Sequence, residues 1–290
     1  MKKGKTMNLK LRKPGSEIFI PDGTPLPGAV ERASYLGVAA HPDDLEIMAY
    51  HGILKCFSSD KDCFFGLIAT DGGGSPRAGF YKKFTDEEMK TVRKKEQKKA
   101  AFVGEYVGVA FLNYTSAEIK EAGDPGPKDD IKDLITLAEP KIVYTHNPAD
   151  KHDTHVAVGL RTIQAIREIP AEHRPERVFG CEVWRDLDWM LDEDKVGLDV
   201  SEHQNLATSL VSVFDSQVAG GKGYDMATIG RRRAHATYYA THDVDVATSM
   251  IFAMDLTPLV KDPSLDIMEF VCRYINRFAA DVSRRIEKLL

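Results

Sequence analysis

An α/β fold is what this sequence predicts: a mostly parallel sheet with helices on both faces and a helical C-terminal section. Three observations carry that expectation. Short apolar runs recur at 35–40, 63–70, 106–112 and 141–145, as in strands buried on both faces. Segments with apolar residues at helical spacing alternate with them. No repeat, low-complexity tract or linker breaks the alternation, so one domain is expected over 31–290, preceded by an N-terminal arm at 1–30.

In chain order, the first thirty residues are rich in Lys, Gly and Pro, and PDGTPLPG reads as an extended arm or loop. Tyr35–Ala40 (YLGVAA) is the first strand. A helix from Asp43 places Leu45, Met48, Ala49, Gly52, Ile53 and Cys56 on one face. Cys63–Thr70 is the second strand and runs into the glycine loop DGGGS. Thr85 and Glu88 form a capping-box signature before a long charged helix to about Val103, which Gly104 ends. Strand at Tyr106–Leu112, helix at Ile131–Ala138, strand at Lys141–Thr145 and helix from Asp153 to Ile169 follow, with Pro170 as the stop. Cys181–Trp184 reads as one more strand. Beyond it the chain turns helical and polar. Its last segment, Ser264–Leu290, carries Met268, Val271, Cys272, Ile275, Phe278, Ala279, Val282, Ile286 and Leu289 on one stripe. That stripe is expected to pack on the body or on a second subunit, which leaves a homo-oligomer open.

Composition excludes several classes. The chain has 290 residues, 43% of them hydrophobic and 29% charged, enough for a sizeable core. With 39 Lys and Arg against 44 Asp and Glu, the net charge is −5; a general nucleic-acid binder needs a basic excess, so none is expected. No apolar run reaches the ~18–20 residues of a membrane span. The basic start MKKGKTMNLKLRKPG has no apolar stretch behind it and does not read as a secretory signal. Four cysteines with no CxxC pair give neither a disulfide scaffold nor a cysteine zinc site. The expectation is a soluble, cytoplasmic protein.

In open α/β sheets ligands sit beyond the carboxyl ends of the strands, so polar clusters there matter most. The first strand runs into His41-Pro42-Asp43-Asp44-Leu45-Glu46, whose first four residues hold one imidazole and two carboxylates at a strand–helix junction. Asp43 or Asp44 could simply cap that helix; paired with His41, either could also hold a cation. The fourth strand runs into His146–His155, where His152 and His155 stand three apart among Asp150 and Asp153. Two histidines and one carboxylate with an open position make a catalytic zinc set, and a spare Asp and His beside it suit proton transfer or oxyanion stabilisation. The DGGGS loop is either plain or a binding loop; there is no dinucleotide or P-loop signature. Arg231–Arg233 and the Lys-rich 90–99 stretch read as solvated helix faces, and His51, His173, His203, His235 and His242 have no convergent partners in the sequence.

AHPDDLE at 40–46, directly after a strand, resembles the A-H-P-D-D-x-E signature of the zinc-dependent N-acetylglucosaminyl de-N-acetylases of PIG-L/LmbE type. RKKEQKKAAFVG at 93–104, ATDGGGS at 69–75, HDTH at 152–155 and Ser216-Gln217 resemble further elements of that family, in order, over roughly 35–220. The resemblance implies a Rossmann-like fold, Zn²⁺ or another divalent metal as cofactor, His41, Asp44 and His155 as metal ligands, Asp43 as general base, and His152 facing the tetrahedral intermediate. Asp71, Gly72, Arg77 and Arg93 are the candidate substrate-binding residues. Two positions depart from the pattern: Gly73 stands where the family often has Glu, and Asp153-Thr154 replaces Pro-Asp, so the acid that usually supports the catalytic histidine is missing from its place. The expected activity is removal of an acetyl group from an N-acetylated amino sugar or glycoconjugate. A metal-dependent amidase or esterase on another small substrate, or a non-catalytic sugar-binding protein of the same fold, are the alternatives. The segments 75–85, with Phe80 and Tyr81, and 114–130 are the expected rim of the site.

Overall fold

The computed structural model describes residues 9–290, so the first eight residues of the basic N-terminal stretch lie outside it. Its centre is one sheet of eight strands: β1 Glu17–Phe19, β2 Tyr35–Ala39, β3 Phe64–Thr70, β4 Gly108–Tyr114, β5 Ile142–His146, β6 Arg177–Cys181, β7 Lys195–Asp199 and β8 Met250–Asp255. Their order is β1-β4-β3-β2-β5-β6-β8-β7. The five strands β4-β3-β2-β5-β6 are mutually parallel, while β1 and β8 run antiparallel to their neighbours. Strands β2 and β3 are apolar throughout because both faces are covered: Leu36, Val38, Phe65 and Leu67 enter one core, Phe64, Ile68 and Tyr144 the other.

The strand order fixes where a ligand can bind. From β2 the chain moves outward on one side through β3 and β4, then returns to β5 on the other side of β2. The carboxyl ends of β2 and β5 therefore flank the switch point, where diverging connections leave a crevice.

Several elements differ from the sequence reading. Residues 9–30, expected as an arm, include β1, which pairs with β4 (Glu17 opposite Phe111) and is tied by Lys94 and Lys98 to Glu17. The expected helix from Asp43 is two helices, Asp44–Met48 and Tyr50–Cys56, with non-helical backbone at Ala49 (φ −107°, ψ 14°). The helix expected at Ile131–Ala138 begins at Gly126, because Pro127 fits a first turn. The strand expected at Cys181–Trp184 is β6, which starts at Arg177; that charged first residue hides it, and residues 182–184 instead cross the carboxyl end of the sheet. β7 and β8 fall in the part read as helical. The capping box at Thr85 and Glu88 and the helix Asp86–Val103 appear as expected.

The C-terminal helix Ile267–Leu289 buries Phe270 and Val271 near its start, and Arg277 at its middle pairs with Glu193 and Asp194. No helix among the described residues is long and apolar enough to cross a membrane.

One close approach sets the distance between the helix Asp153–Arg167 and β5. A Cβ on Gly159 would lie 2.6 Å from the His146 carbonyl oxygen, so the missing side chain lets the helix, with His155 one turn earlier, lie against the strand end. Gly159→Ala is expected to destabilise the protein by about 1–3 kcal/mol in urea unfolding, the usual cost of overpacking. Gly230→Ala, in the helix Tyr224–Tyr238 with nothing within 4 Å of its Cβ, should be neutral or stabilise by a few tenths of a kcal/mol or more.

Candidate metal and catalytic site

Strand β2 ends in a tight turn built by its own side chains. The His41 N–H donates to Asp44 Oδ2 (2.7 Å), and the Thr70 N–H and hydroxyl both donate to the Ala40 carbonyl. The turn forces Asp43 to a positive φ of 95° (ψ −29°), a conformation costly for a residue with a Cβ. Groups from the helix Asp86–Val103 hold it there. Gln97 Oε1 accepts the Asp43 N–H (3.1 Å), the Arg93 guanidinium lies 3.1 Å from Asp43 Oδ2, and Arg93 also donates to the Pro42 carbonyl and the Ser75 hydroxyl. Gln97 in turn donates to Glu46, which also accepts from the Tyr106 hydroxyl. Glu96 accepts both the N–H and the hydroxyl of Ser216.

The second half of the site follows β5. Asp150 organises it by accepting the backbone N–H groups of Lys151, His152, Trp184 and Arg185, with His155 Nδ1 at 3.3 Å from its Oδ2. A histidine that donates through Nδ1 turns the lone pair of Nε2 outward. For His155 that lone pair faces His41 Nδ1 at 3.1 Å and Asp44 Oδ2 at 3.4 Å, and His41 Nδ1 is 3.2 Å from the same oxygen. Tetrahedral ligation at about 2.0–2.1 Å sets donor atoms about 3.3 Å apart, so two nitrogens and an oxygen are spaced to hold one divalent cation. His152 also brings a nitrogen within 4.8 Å of those of His41 and His155.

His146 joins this cluster without being singled out by the sequence. It is fully buried and stacked on His155 (centroids 4.0 Å apart), and its Nε2 accepts the Ala40 N–H at 2.9 Å. With that lone pair engaged, the ring fixes the end of β2 against β5. Nothing marked His146 in advance, because its partner, Ala40, is a backbone group 106 residues away.

Burial dominates the electrostatics. It pushes the Asp43 carboxyl up to about 7, against the opposing charge of Arg93. Burial would raise Asp44 as well, but the imidazoles of His155, His146 and His41 around its carboxylate outweigh it and hold Asp44 well below the usual carboxylate range. Glu46 is raised to about 8 by burial and His155 lowered to about 4 by the same cause. Burial and the imidazoles thus push the pKa values of neighbouring acids apart, as acid–base sites require.

The cluster opens into a cavity of about 440 Å³ that Asp71, Gly72, Arg93 and His152 also line, within the range of small-molecule sites. Trp184, Lys222 and Tyr224 close its far wall, with the Lys222 ammonium 4.7 Å over the Trp184 ring. Arg77 is not brought to it; its guanidinium donates to the carbonyls of Phe84 and Gly73 and pairs with Asp86, closing the 75–85 loop on itself. Of that loop, Ser75 and Pro76 reach the cavity, while Tyr81 is buried on Asp215. At Gly73 a Cβ would lie 2.8 Å from the Lys90 side chain, which pairs with Asp71. No carboxylate among the described residues pairs with the His152 ring; Thr154 is buried in the cavity wall, Asp150 serves His155, and burial followed by the charge of His41 lowers His152.

Arg232, read as part of a solvated helix face, and two histidines read as unpartnered prove to be engaged from afar. Arg232 is fully buried, donates to the Glu46 and Ile47 carbonyls and lies over the Tyr50 ring. His51 Nδ1 lies 2.7 Å from the Tyr144 hydroxyl, and His235 Nδ1 2.9 Å from Glu182.

Residues 36–166 match the PIG-L family, described as GlcNAc-PI de-N-acetylase. No curated protein matches the chain. The fold is shared with the conserved protein TT1542 from Thermus thermophilus (18% identity, 81% of this chain and 99% of that one, TM-score 0.56). It is also shared with the N,N'-diacetylchitobiose deacetylase of Pyrococcus horikoshii (16% identity, 80% and 88%, TM-score 0.55). GalB, the 4-carboxy-2-hydroxymuconate hydratase of Pseudomonas putida, is similar to the same extent (14% identity, 77% and 96%, TM-score 0.55). Identities this low speak for the fold, and a fold hosts more than one chemistry.

Asp150→Ala is expected to lower stability by about 3 kcal/mol or more, since it strips several buried donors of one charged acceptor. Asp153→Ala, at an exposed position, should cost under about 0.5 kcal/mol. Chemical unfolding of the two variants checks the difference.

Proposed function

Taking residues 36–166 as a PIG-L family domain, we propose that this protein is a metal-dependent hydrolase. Its substrate is an N-acetylglucosamine-type sugar or glycoconjugate, from which it removes the N-acetyl group. The observation that carries the reading is the convergence of His41 Nδ1, Asp44 Oδ2 and His155 Nε2 beside a second carboxylate, Asp43, that is held by Arg93. The spacing and chemistry of these donors suit zinc or a similar divalent cation, which when bound acts as a Lewis acid toward an acyl oxygen and acidifies water.

The remaining roles fall to the chain's own groups. Asp43 takes the proton of the attacking water and passes one to the leaving amine. Its burial raises its basicity toward neutrality, where a proton-transfer group works best. Arg93, which also lines the cavity, acts through Asp43 as a positioning residue. His152, in the cavity wall opposite, donates an N–H to the oxygen that gains charge as the amide carbon becomes tetrahedral. Lowered by burial, it does so as a neutral imidazole, through one of its two nitrogens. The Gly72–Gly74 backbone and the Trp184 and Tyr224 rings border the space left for the sugar.

The deacetylase from Pyrococcus horikoshii supports acetyl removal on this fold, and the hydratase marks the chief competitor, water addition to a different carbon skeleton. Acetate release from a panel of N-acetylglucosamine conjugates, measured together with metal content, decides between them. The expected result is about one metal per chain and acetate release that chelation abolishes and zinc restores. His155→Ala should lose most of the metal. Asp43→Asn should keep it and lose ~10²–10⁴ in kcat. His152→Ala should cost ~10²-fold or more in kcat with metal retained. Normal turnover by Asp43→Asn, or no acetate from any conjugate, overturns the reading.

A further inference from the structure

Beside the catalytic cavity lies a second, smaller one of about 250 Å³. The two share a wall of three residues, Trp184, Lys222 and Tyr224. Ile47, Val183 and Ala227 give the smaller cavity an apolar border, which Thr228 and Arg231 complete. At that size it falls below the range of independent small-molecule sites and makes an annex of its neighbour.

The two spaces differ in charge. Asp43, Asp44 and Asp71 line the larger one. No carboxylate lines the smaller, whose charged residues are Lys222 and Arg231. Among the described residues neither cation is paired with an acid. The Lys222 ammonium lies over the Trp184 ring, and Arg231 donates to the Val183 carbonyl.

Resting on the reading of the site as one that deacetylates N-acetylglucosamine conjugates, we propose that the annex is the subsite for the aglycone. The aglycone it takes is a ring that carries an anion, a carboxylate or a phosphate. Lys222 and Arg231 donate hydrogen bonds and accept none, which suits an acceptor-only anion better than the hydroxyls of a second, neutral sugar. The apolar border and the two aromatic side chains suit the faces of a ring. The separation of charge also orients the substrate. Acids at the His41–Asp44 end repel the anion and the annex attracts it, which leaves the acetamido group toward Asp43 and His152.

Titration calorimetry with glucosaminides that are already deacetylated tests binding without turnover. The probes are the phenyl, para-carboxyphenyl and para-phosphatophenyl glycosides of glucosamine. At least one anionic probe is expected to bind ~10-fold or more tightly than the phenyl probe, and the two anionic arms decide between carboxylate and phosphate. Lys222→Gln and Arg231→Gln should each cut that preference at least ~3-fold. Arg233→Gln removes the same charge from an exposed position on the same helix and should keep the preference. The corresponding N-acetylated conjugates should show the same order in KM for acetate release. Equal affinity for all three probes, or a preference indifferent to both Lys222→Gln and Arg231→Gln, overturns the proposal. Acetate release from the phenyl conjugate without any anionic preference overturns it too and leaves the hydrolase reading intact. The preference in calorimetry with no acetate from any conjugate supports the subsite and overturns the hydrolase reading.

Discussion

The backbone of Asp43 is the constraint on which the rest of the site depends. A non-glycine residue at φ 95° carries strain of order 1–3 kcal/mol, and it persists only because its surroundings leave no alternative. Gln97 fixes its N–H, Arg93 holds its carboxylate and the carbonyl before it, and Glu46 and Tyr106 hold Gln97. The strain aims two successive carboxylates in different directions: Asp44 toward the histidine nitrogens, Asp43 toward Arg93 and the cavity. A relaxed turn would begin the helix one residue earlier and lose that divergence. The helix Asp86–Val103 thus contributes a scaffold for the site on its buried face, while Lys94 and Lys98 hold β1 through Glu17.

The strand-end architecture brings the second set of groups within reach. β2 and β5 are neighbours in the sheet although they lie far apart in the chain, which departs from them in opposite directions. His146 locks the two ends together through Ala40, and the bare Gly159 lets the following helix lie close enough for His155 to meet His41 and Asp44. Asp150 then sets the tautomer of His155 and joins the loop of residues 150–152 to that of 184–185. The acid absent beside His152 is therefore not replaced; Asp150 serves a different ring, and the wall around His152 is made of Thr154, Trp184 and neighbouring imidazoles.

This arrangement places function and stability in opposition. Asp43, Asp44 and Glu46 are all buried within four residues of one another, and Arg93 stands against Asp43. Like charges in a low-dielectric interior oppose folding unless protonated or paired. A cation seated among His41, Asp44 and His155 would relieve that repulsion and so couple its binding to folding.

The sequence by itself determined the parallel α/β plan, because strands buried on two faces must be apolar throughout and the alternating helices must be amphipathic. It also determined both polar clusters, since AHPDDLE and HDTH concentrate donors at strand ends, and the capped helix over 86–103. What it could not supply were contacts between residues far apart in sequence. Gln97 and His146 act on backbone groups of the first cluster from 54 and 106 residues away. Arg232, one of three successive arginines, is buried because it reaches carbonyls 185 and 186 residues earlier, whereas periodicity alone made it a surface charge. β7 and β8 were hidden for the same reason. Pattern fixes what a segment can bury, but only the assembled sheet decides which neighbour it is buried against.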